Sequence, residues 1–233
     1  MPPLTPDNFR IRATRVTASE VGALMPEGHP FVTRLDIFNR LTFGVQEPAR
    51  QNDAMLAGTI LEPAILKLAA TRFGWRVQAN SHTYAHRTAP LCATPDARVV
   101  AYDDADSMLV KVRALVEVKY SGNPTGWQEV PPHVYYQCQA QLACTNGYDL
   151  VEVVVLAGHL RRFTVWRDAT AIRRLAAASR RMVEAVAAGV PPEPVAAPDR
   201  YELPVTDGKR QQRPPSLTLA YRRTAELATG GGR

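Results

Sequence analysis

An aspartate directly after a proline, in Thr94-Pro95-Asp96, is followed about two strand lengths later by Leu115-Val116-Glu117-Val118-Lys119. Leu115, Val116 and Val118 favour a pleated, covered surface. Alternate residues of a strand share a face, so Glu117 and Lys119 project one way and the two valines the other. Burying a carboxylate or an ammonium costs on the order of several kcal/mol unless the group is paired or ligates something. Asp96 and Glu117 supply hard oxygen donors suited to magnesium or manganese, with coordination positions left for water and phosphate oxygens. Lys119 can orient or deprotonate an attacking water and offset charge on a pentavalent phosphorus. The other reading of the same residues is a structural Glu-Lys pair on an edge strand beside an unrelated Pro-Asp turn.

The elements that must position these groups follow from periodicity and punctuation. Residues 1–9 carry three prolines and no period, and read as a flexible arm. From Arg12 the chain moves into a short helix with Thr17 or Ser19 as N-cap; its free N–H groups, a hydroxyl and two arginines make either an anion site or an ordinary capped helix. Asn52 to Phe73 reads as a long helix stopped by Gly74, broken or kinked at Pro63, with Glu62 either on the apolar stripe of Met55, Thr59, Leu66, Ala69 and Phe73 or rolled toward water. Short β-like runs follow at Trp75 to Ala79, His82 to His86, Leu91 to Thr94, Ala97 to Tyr102 and Met108 to Tyr120, a meander with a turn at Asp103-Asp104. His133 to Thr145 reads as a helix ended by Asn146-Gly147, although its alternating glutamines also suit a strand. As a helix it puts Gln137 and Gln141 on one face and Gln139 elsewhere. A hairpin over Leu150 to Arg167 precedes a helix from Asp168 to Ala188, whose Arg173, Arg174, Arg180 and Arg181 form a basic stripe.

Composition narrows the class. A chain of 233 residues with 45% hydrophobic content can bury one sizeable core, and a net charge of +6 with pI near 9.5 favours a polyanionic partner. Cys92, Cys138 and Cys144 are odd in number and lack a Cys-x-x-Cys pair, which speaks against a zinc site and a disulfide framework and for reduced thiols in the cytoplasm. His82, His86, Trp127 and His133 match no histidine metal motif. No apolar run approaches membrane-spanning length and no export leader precedes Asp7, so a soluble protein is expected, with no membrane partner. Residues 193–233, rich in proline, lysine and arginine, read as a basic tail with a short helix near Leu217 to Leu227.

With Thr17-Ala18-Ser19-Glu20, Gly58-x-x-x-Glu62, Thr94-Pro95-Asp96, Glu117-x-Lys119 and Tyr135-x-Gln137-x-Gln139-x-Gln141-Leu142 in this order, the chain resembles the PD-(D/E)XK nucleases. More narrowly it is similar to the phage lambda exonuclease or YqaJ-type viral recombinase family, over about residues 10–192. The resemblance implies an α/β (α+β) restriction-endonuclease-like core, a central mixed β-sheet flanked by helices, with a basic C-terminal extension. It implies a 5′ to 3′ exonuclease on duplex DNA ends, with magnesium (or manganese) held by Asp96, Glu117 and the backbone carbonyl of Val118, and Glu62 serving a second metal. Lys119 would act on the water, Gln137 on the scissile phosphate or water, and Arg12 with Thr17 and Ser19 on the 5′-terminal phosphate, with Gln139 the alternative functional amide. A single-strand annealing partner, a homotrimer, and a place in the host cytoplasm of a phage complete the expectation. Ala97 stands where the family commonly has glycine, and the insertion before Glu117 is longer. An endonuclease on the same core, or a DNA-binding module that has lost turnover, are the alternatives.

Overall fold

The computed structural model describes residues 5–44, 53–102, 112–123 and 126–193. In chain order these form α1 (Pro6–Ala13), β1 (Val16–Thr17), a 3-10 turn (Val21–Leu24), α2 (Arg34–Phe43), α3 (Asp53–Phe73), β2 (Trp75–Ala79), β3 (Tyr84–Ala85), β4 (Leu91–Ala93), β5 (Ala97–Tyr102), β6 (Ala114–Tyr120), α4 (Pro132–Cys144), β7 (Leu150–Ala157), β8 (His159–Trp166) and α5 (Ala169–Ala188). The Asp103-Asp104 turn, Asp106 and the basic tail with its expected helix lie outside the described residues.

The main sheet has the order β2-β5-β6-β7-β8. It is mixed: β6 and β7 are parallel, joined by the crossover helix α4, and the other neighbours are antiparallel. On one face α3 seats Ile65 and Ala69 against Val116, Val118, Val154 and Trp75. On the other, α4 seats Val134, Cys138 and Leu142 against Leu115, Val151 and Val153. The apolar residues of β6 and β7 are thus covered from both sides, as a parallel pair requires. A third apolar cluster joins the 3-10 turn, α2, α5 and a small sheet, β1-β4-β3, to the far side of α4.

Local chemistry explains the element ends. Asp168 caps α5 by accepting from Thr170 N and Ala171 N, and Gly189 closes it at φ 66°, where an L side chain would be strained. Thr33 and Asp36 form a reciprocal capping box on α2. Asn80 ties two bends together, its side-chain amide donating to Pro95 O and its own N–H to Asp96 O.

Four expectations are corrected. The arm read to residue 9 becomes helical at Pro6, because Thr5-Pro6-Asp7 is a capping sequence: Thr5 accepts from Asn8 N, and a proline in the first turn gives up no helical hydrogen bond. No α-helix starts at Thr17 or Ser19. Thr17 ends β1, parallel to β4, and its N–H is taken by Glu20 Oε1 at 2.9 Å, so no helix N-terminus is available there for an anion. The strand runs around Tyr84 and Leu91 leave the meander for the small sheet, and His82 to His86 shortens to Tyr84–Ala85. Finally, α3 runs unbroken through Pro63, whose ring lies on the exposed side while Ile65 and Ala69 anchor the helix to the sheet.

Gln139 and Asp168 join α4, β8 and α5: Gln139 donates to Trp166 O at 2.7 Å and accepts from Asp168 N at 2.8 Å. Against the cost of burial, the N–H groups of Ala171 and Thr170 and the Tyr135 hydroxyl hold the Asp168 carboxyl below the usual aspartate range. A lowered folded pKa stabilises above the unfolded value and loses that contribution as pH falls through the folded one. Asp168→Ala should therefore lower unfolding stability by about 1 kcal/mol in urea at pH 7. The gap to wild type should close as pH falls below about 4.

Candidate active site

Antiparallel pairing of β5 with β6 stops at Ala97 opposite Val116. Pro95, two residues further, has no N–H to extend the ladder. Instead the Asp96 side chain turns in, and its Oδ2 accepts from Val118 N at 2.7 Å. The carboxylate replaces a ladder partner, and beyond it the two strands splay into a cleft.

That cleft encloses about 290 Å³ and is lined by Arg12, Thr17, Ala18, Ser19, Glu62, Ser81, Thr94, Asp96, Glu117, Val118, Lys119 and Gln137. Strand alternation delivers Glu117 and Lys119 on the α4 side, with Lys119 Nζ 2.6 Å from Glu117 Oε1. From α4, Gln137 donates to the same Oε1 at 2.6 Å and accepts from Lys119 Nζ at 3.1 Å. One turn on, Gln141 Nε2 donates to Glu117 Oε2. Glu62 reaches the cleft from α3 and is half-buried, not in the sealed core.

Charges held out of water shift one another. Burial, then Glu117, then Glu62 push the Asp96 carboxyl well above the usual range. Burial and Glu117 also raise Glu62. Burial works against the Lys119 charge, yet Glu117 and Asp96 together hold its amine above the usual lysine range, so it stands as an ammonium donor. Cys138 lies behind this group, its thiol pushed well up by burial and Glu117, and is inert at neutral pH.

The far wall is built by α1. Its Asn8, 1% exposed, donates to Ser81 O at 2.6 Å and accepts from Thr83 N at 2.9 Å. This fixes the helix so that Arg12, one turn later, faces the cleft. Arg40 holds the other end, donating to Arg12 O and Arg15 O at 2.9 Å each and pairing closely with Glu20. Thr17 and Ser19 stand with their hydroxyl oxygens 3.1 Å apart.

Of the expected site residues, Glu62, Asp96, Glu117, Val118, Lys119, Gln137, Arg12, Thr17 and Ser19 meet in this one cleft. Gln139 does not: fully buried, with both ends of its amide spent on Trp166 and Asp168, it cannot reach a substrate. Ser81, Thr94 as a lining residue, Gln141 and Asn8 were not anticipated in the site. Gln141 left a signal in its helical spacing from Gln137, and Thr94 in its place beside Pro95-Asp96. His29 was also missed. Its ring meets His133 edge-on at 4.9 Å, and both are lowered to about 4, His29 by burial then Lys119, His133 by burial then His29 and Lys119.

Among the described residues no three His, Cys, Asp or Glu side chains already converge as a preformed metal cage. The donors are spread along the cleft wall, and Glu117 is held by its amide and amine partners. The chemistry of the set still suits a hard divalent cation: two buried carboxylates and a third nearby repel one another, and Asp96 shows the cost.

Residues 7–148 match the YqaJ-like viral recombinase domain. Among solved structures, the chain is similar to an alkaline exonuclease (LHK-Exo) from Laribacter hongkongensis, with 24% identity, 79% of this chain and 94% of that chain covered, and a TM-score of 0.60. The same protein in complex with dAMP gives 0.61. A phage related exonuclease from Haemophilus somnus 129PT is 11% identical, with 78% of this chain and 99% of that one covered and a TM-score of 0.55. The likeness to these structures is one of fold, the expected central mixed β-sheet flanked by helices. No curated protein matches the chain.

A carboxyl whose folded pKa is raised is most comfortable protonated, so the metal-free protein should lose stability as pH rises through the folded value of Asp96. In chelator, the thermal midpoint should fall toward alkaline pH. Asp96→Asn keeps an oxygen for Val118 N and should flatten that slope, raising the midpoint at pH 8 by about 2–4 °C for each kcal/mol relieved.

Proposed function

The chain belongs to the YqaJ-like viral recombinase domain family, and on that premise we propose that it is an exonuclease. In this reading it is a divalent-metal-dependent hydrolase that digests the 5′-ended strand from duplex DNA ends and leaves 3′ single-stranded overhangs for recombination. The observation that carries the proposal is the gathering of Asp96, Glu117 and Lys119 at the point where β5 and β6 part, with Glu62 on the same cleft. The exonucleases that share the fold support it.

Asp96, Glu117 and the Val118 carbonyl would hold one magnesium or manganese ion, and Glu62 would serve a second. When bound, such an ion polarises a phosphoryl oxygen and makes water a better nucleophile near neutral pH. Everything else falls to the side chains of this chain. Lys119, as an ammonium, orients a water or steadies a non-bridging oxygen as charge builds on the phosphate. The Gln137 amide, bonded to both Glu117 and Lys119, is placed to hold a water or phosphate oxygen without adding a charge. Arg12, Thr17 and Ser19 on the opposite wall present a guanidinium and two hydroxyls to a terminal 5′-phosphate. An annealing protein as partner and a homotrimeric assembly belong to the same proposal and rest on the resemblance alone.

End-labelled duplexes test this directly. Linear DNA with 5′-phosphate ends should be digested in magnesium or manganese, and chelator should stop the reaction. Lys119→Ala and Glu117→Ala should each lower kcat at least about 100-fold. Full activity in either variant would remove the assigned site. Arg12→Ala should raise KM for 5′-phosphate ends and leave 5′-hydroxyl ends unchanged. Cleavage of closed circular duplex would reassign the chain as an endonuclease.

A further inference from the structure

Helix α4 carries three glutamines with three different fates. Gln137 is half-buried at the cleft, Gln139 is spent on α5 and β8, and Gln141 is fully buried. A buried amide needs a reason, because an aliphatic side chain would fill the same space with no polar atoms to satisfy. The Gln141 side chain has one partner, Glu117 Oε2, reached by its Nε2. An ionised carboxylate only accepts, so the amide nitrogen must face it, which fixes the amide orientation. Its Oε1 is then turned into the interior, a buried side-chain polar atom with no hydrogen-bond partner. The chain bears that penalty at this position and at no other described one.

The two oxygens of Glu117 are treated differently. Oε1 takes Lys119 and Gln137, both of which line the cleft and can turn to a ligand. Oε2 takes Gln141, which is sealed from solvent and does not line the cleft. Without that rear contact, the carboxylate could rotate about its last bond and exchange its oxygens.

We propose that Gln141 is a positioning residue that locks the Glu117 carboxylate from behind, so that Oε1 is the oxygen presented to a divalent cation. This rests on the metal-dependent reading above. Groups that orient a metal-binding side chain typically change metal affinity or activity by about 10- to 100-fold when removed. Gln141→Met keeps the length and bulk of the side chain and deletes the donor. Gln139→Met is the matched control, an equally buried amide on the same helix that never touches Glu117.

The experiment titrates DNA-free protein with Mn2+, by calorimetry, and follows with steady-state digestion of linear duplex. Gln141→Met should weaken Mn2+ binding about tenfold and lower kcat at limiting Mn2+, with recovery at excess Mn2+ and KM for DNA within about twofold of wild type. Gln139→Met should lower the thermal midpoint and keep wild-type Mn2+ affinity. Wild-type Mn2+ affinity in Gln141→Met, or equal losses in both variants, would overturn the proposal. If Gln141→Met does not fold, Gln141→Asn, whose amide is one methylene too short to reach Oε2, is read the same way. Failure of both to fold would make Gln141 a core element and overturn the assignment. A wild-type protein that binds no Mn2+ sinks the metal reading itself, a result distinct from any of these.

Discussion

The hydrogen bond from Val118 N to Asp96 Oδ2 is the interaction on which the site depends. It sits where an antiparallel ladder ends, and it does two things at once. It satisfies a buried backbone donor that would otherwise be stranded when β5 diverges, and it pins a carboxylate against the strand that carries Glu117 and Lys119. Pro95 fits this arrangement because it could not have donated to the next rung. The sheet thereby opens a cleft at its centre without leaving a broken edge.

Each further layer adds a group to that opening by a separate contact. Helix α4, the crossover between the parallel strands β6 and β7, crosses the face bearing Glu117, so its helical repeat places Gln137 and Gln141 one turn apart over the two carboxylate oxygens. Helix α1 brings Arg12 from the opposite wall because Asn8 is bonded to both Ser81 and Thr83, and because Arg40 fastens its C-terminal end. The α5 helix contributes nothing to the cleft directly. It steadies α4 through Gln139, which donates to β8 and receives the N–H of the residue that caps α5.

Much of this was legible in the sequence, and the boundary is physical. Period-2 and period-3.6 patterns are local, so the common face of Glu117 and Lys119 and the pairing of Gln137 with Gln141 followed from spacing alone. The start of α5 at Asp168 and its end at Ala188 were legible for the same reason. What stayed hidden depends on contacts between residues far apart in the chain. Asn8 sits in a proline-rich stretch that looks disordered until Ser81 and Thr83 are brought to it. Tyr84 and Leu91 have the composition of meander strands, and only the pairing of Leu91 with Val16 and of Tyr84 with Ala93 shows that they form a second sheet. Gln139 looked as functional as Gln137 because a sequence lists amides without their partners.

The electrostatics of the cleft set an order on what can enter it. Three carboxylates, Glu62, Asp96 and Glu117, face it with two cationic side chains, Arg12 and Lys119. The neighbouring His29 and His133 stay neutral above about pH 4, because burial and the nearby Lys119 oppose their charging. Burial and mutual repulsion push Asp96 and Glu62 toward their protonated forms, so the cleft holds little of the positive charge that the chain carries overall, formally +6. Lys119 and Gln137, which line the cleft, are both held by Glu117 Oε1. In the proposed reaction, Asp96 and Glu117 would hold a divalent cation that offsets their mutual repulsion, and Glu117 Oε1 given over to it would leave Lys119 and Gln137 available to a phosphate oxygen.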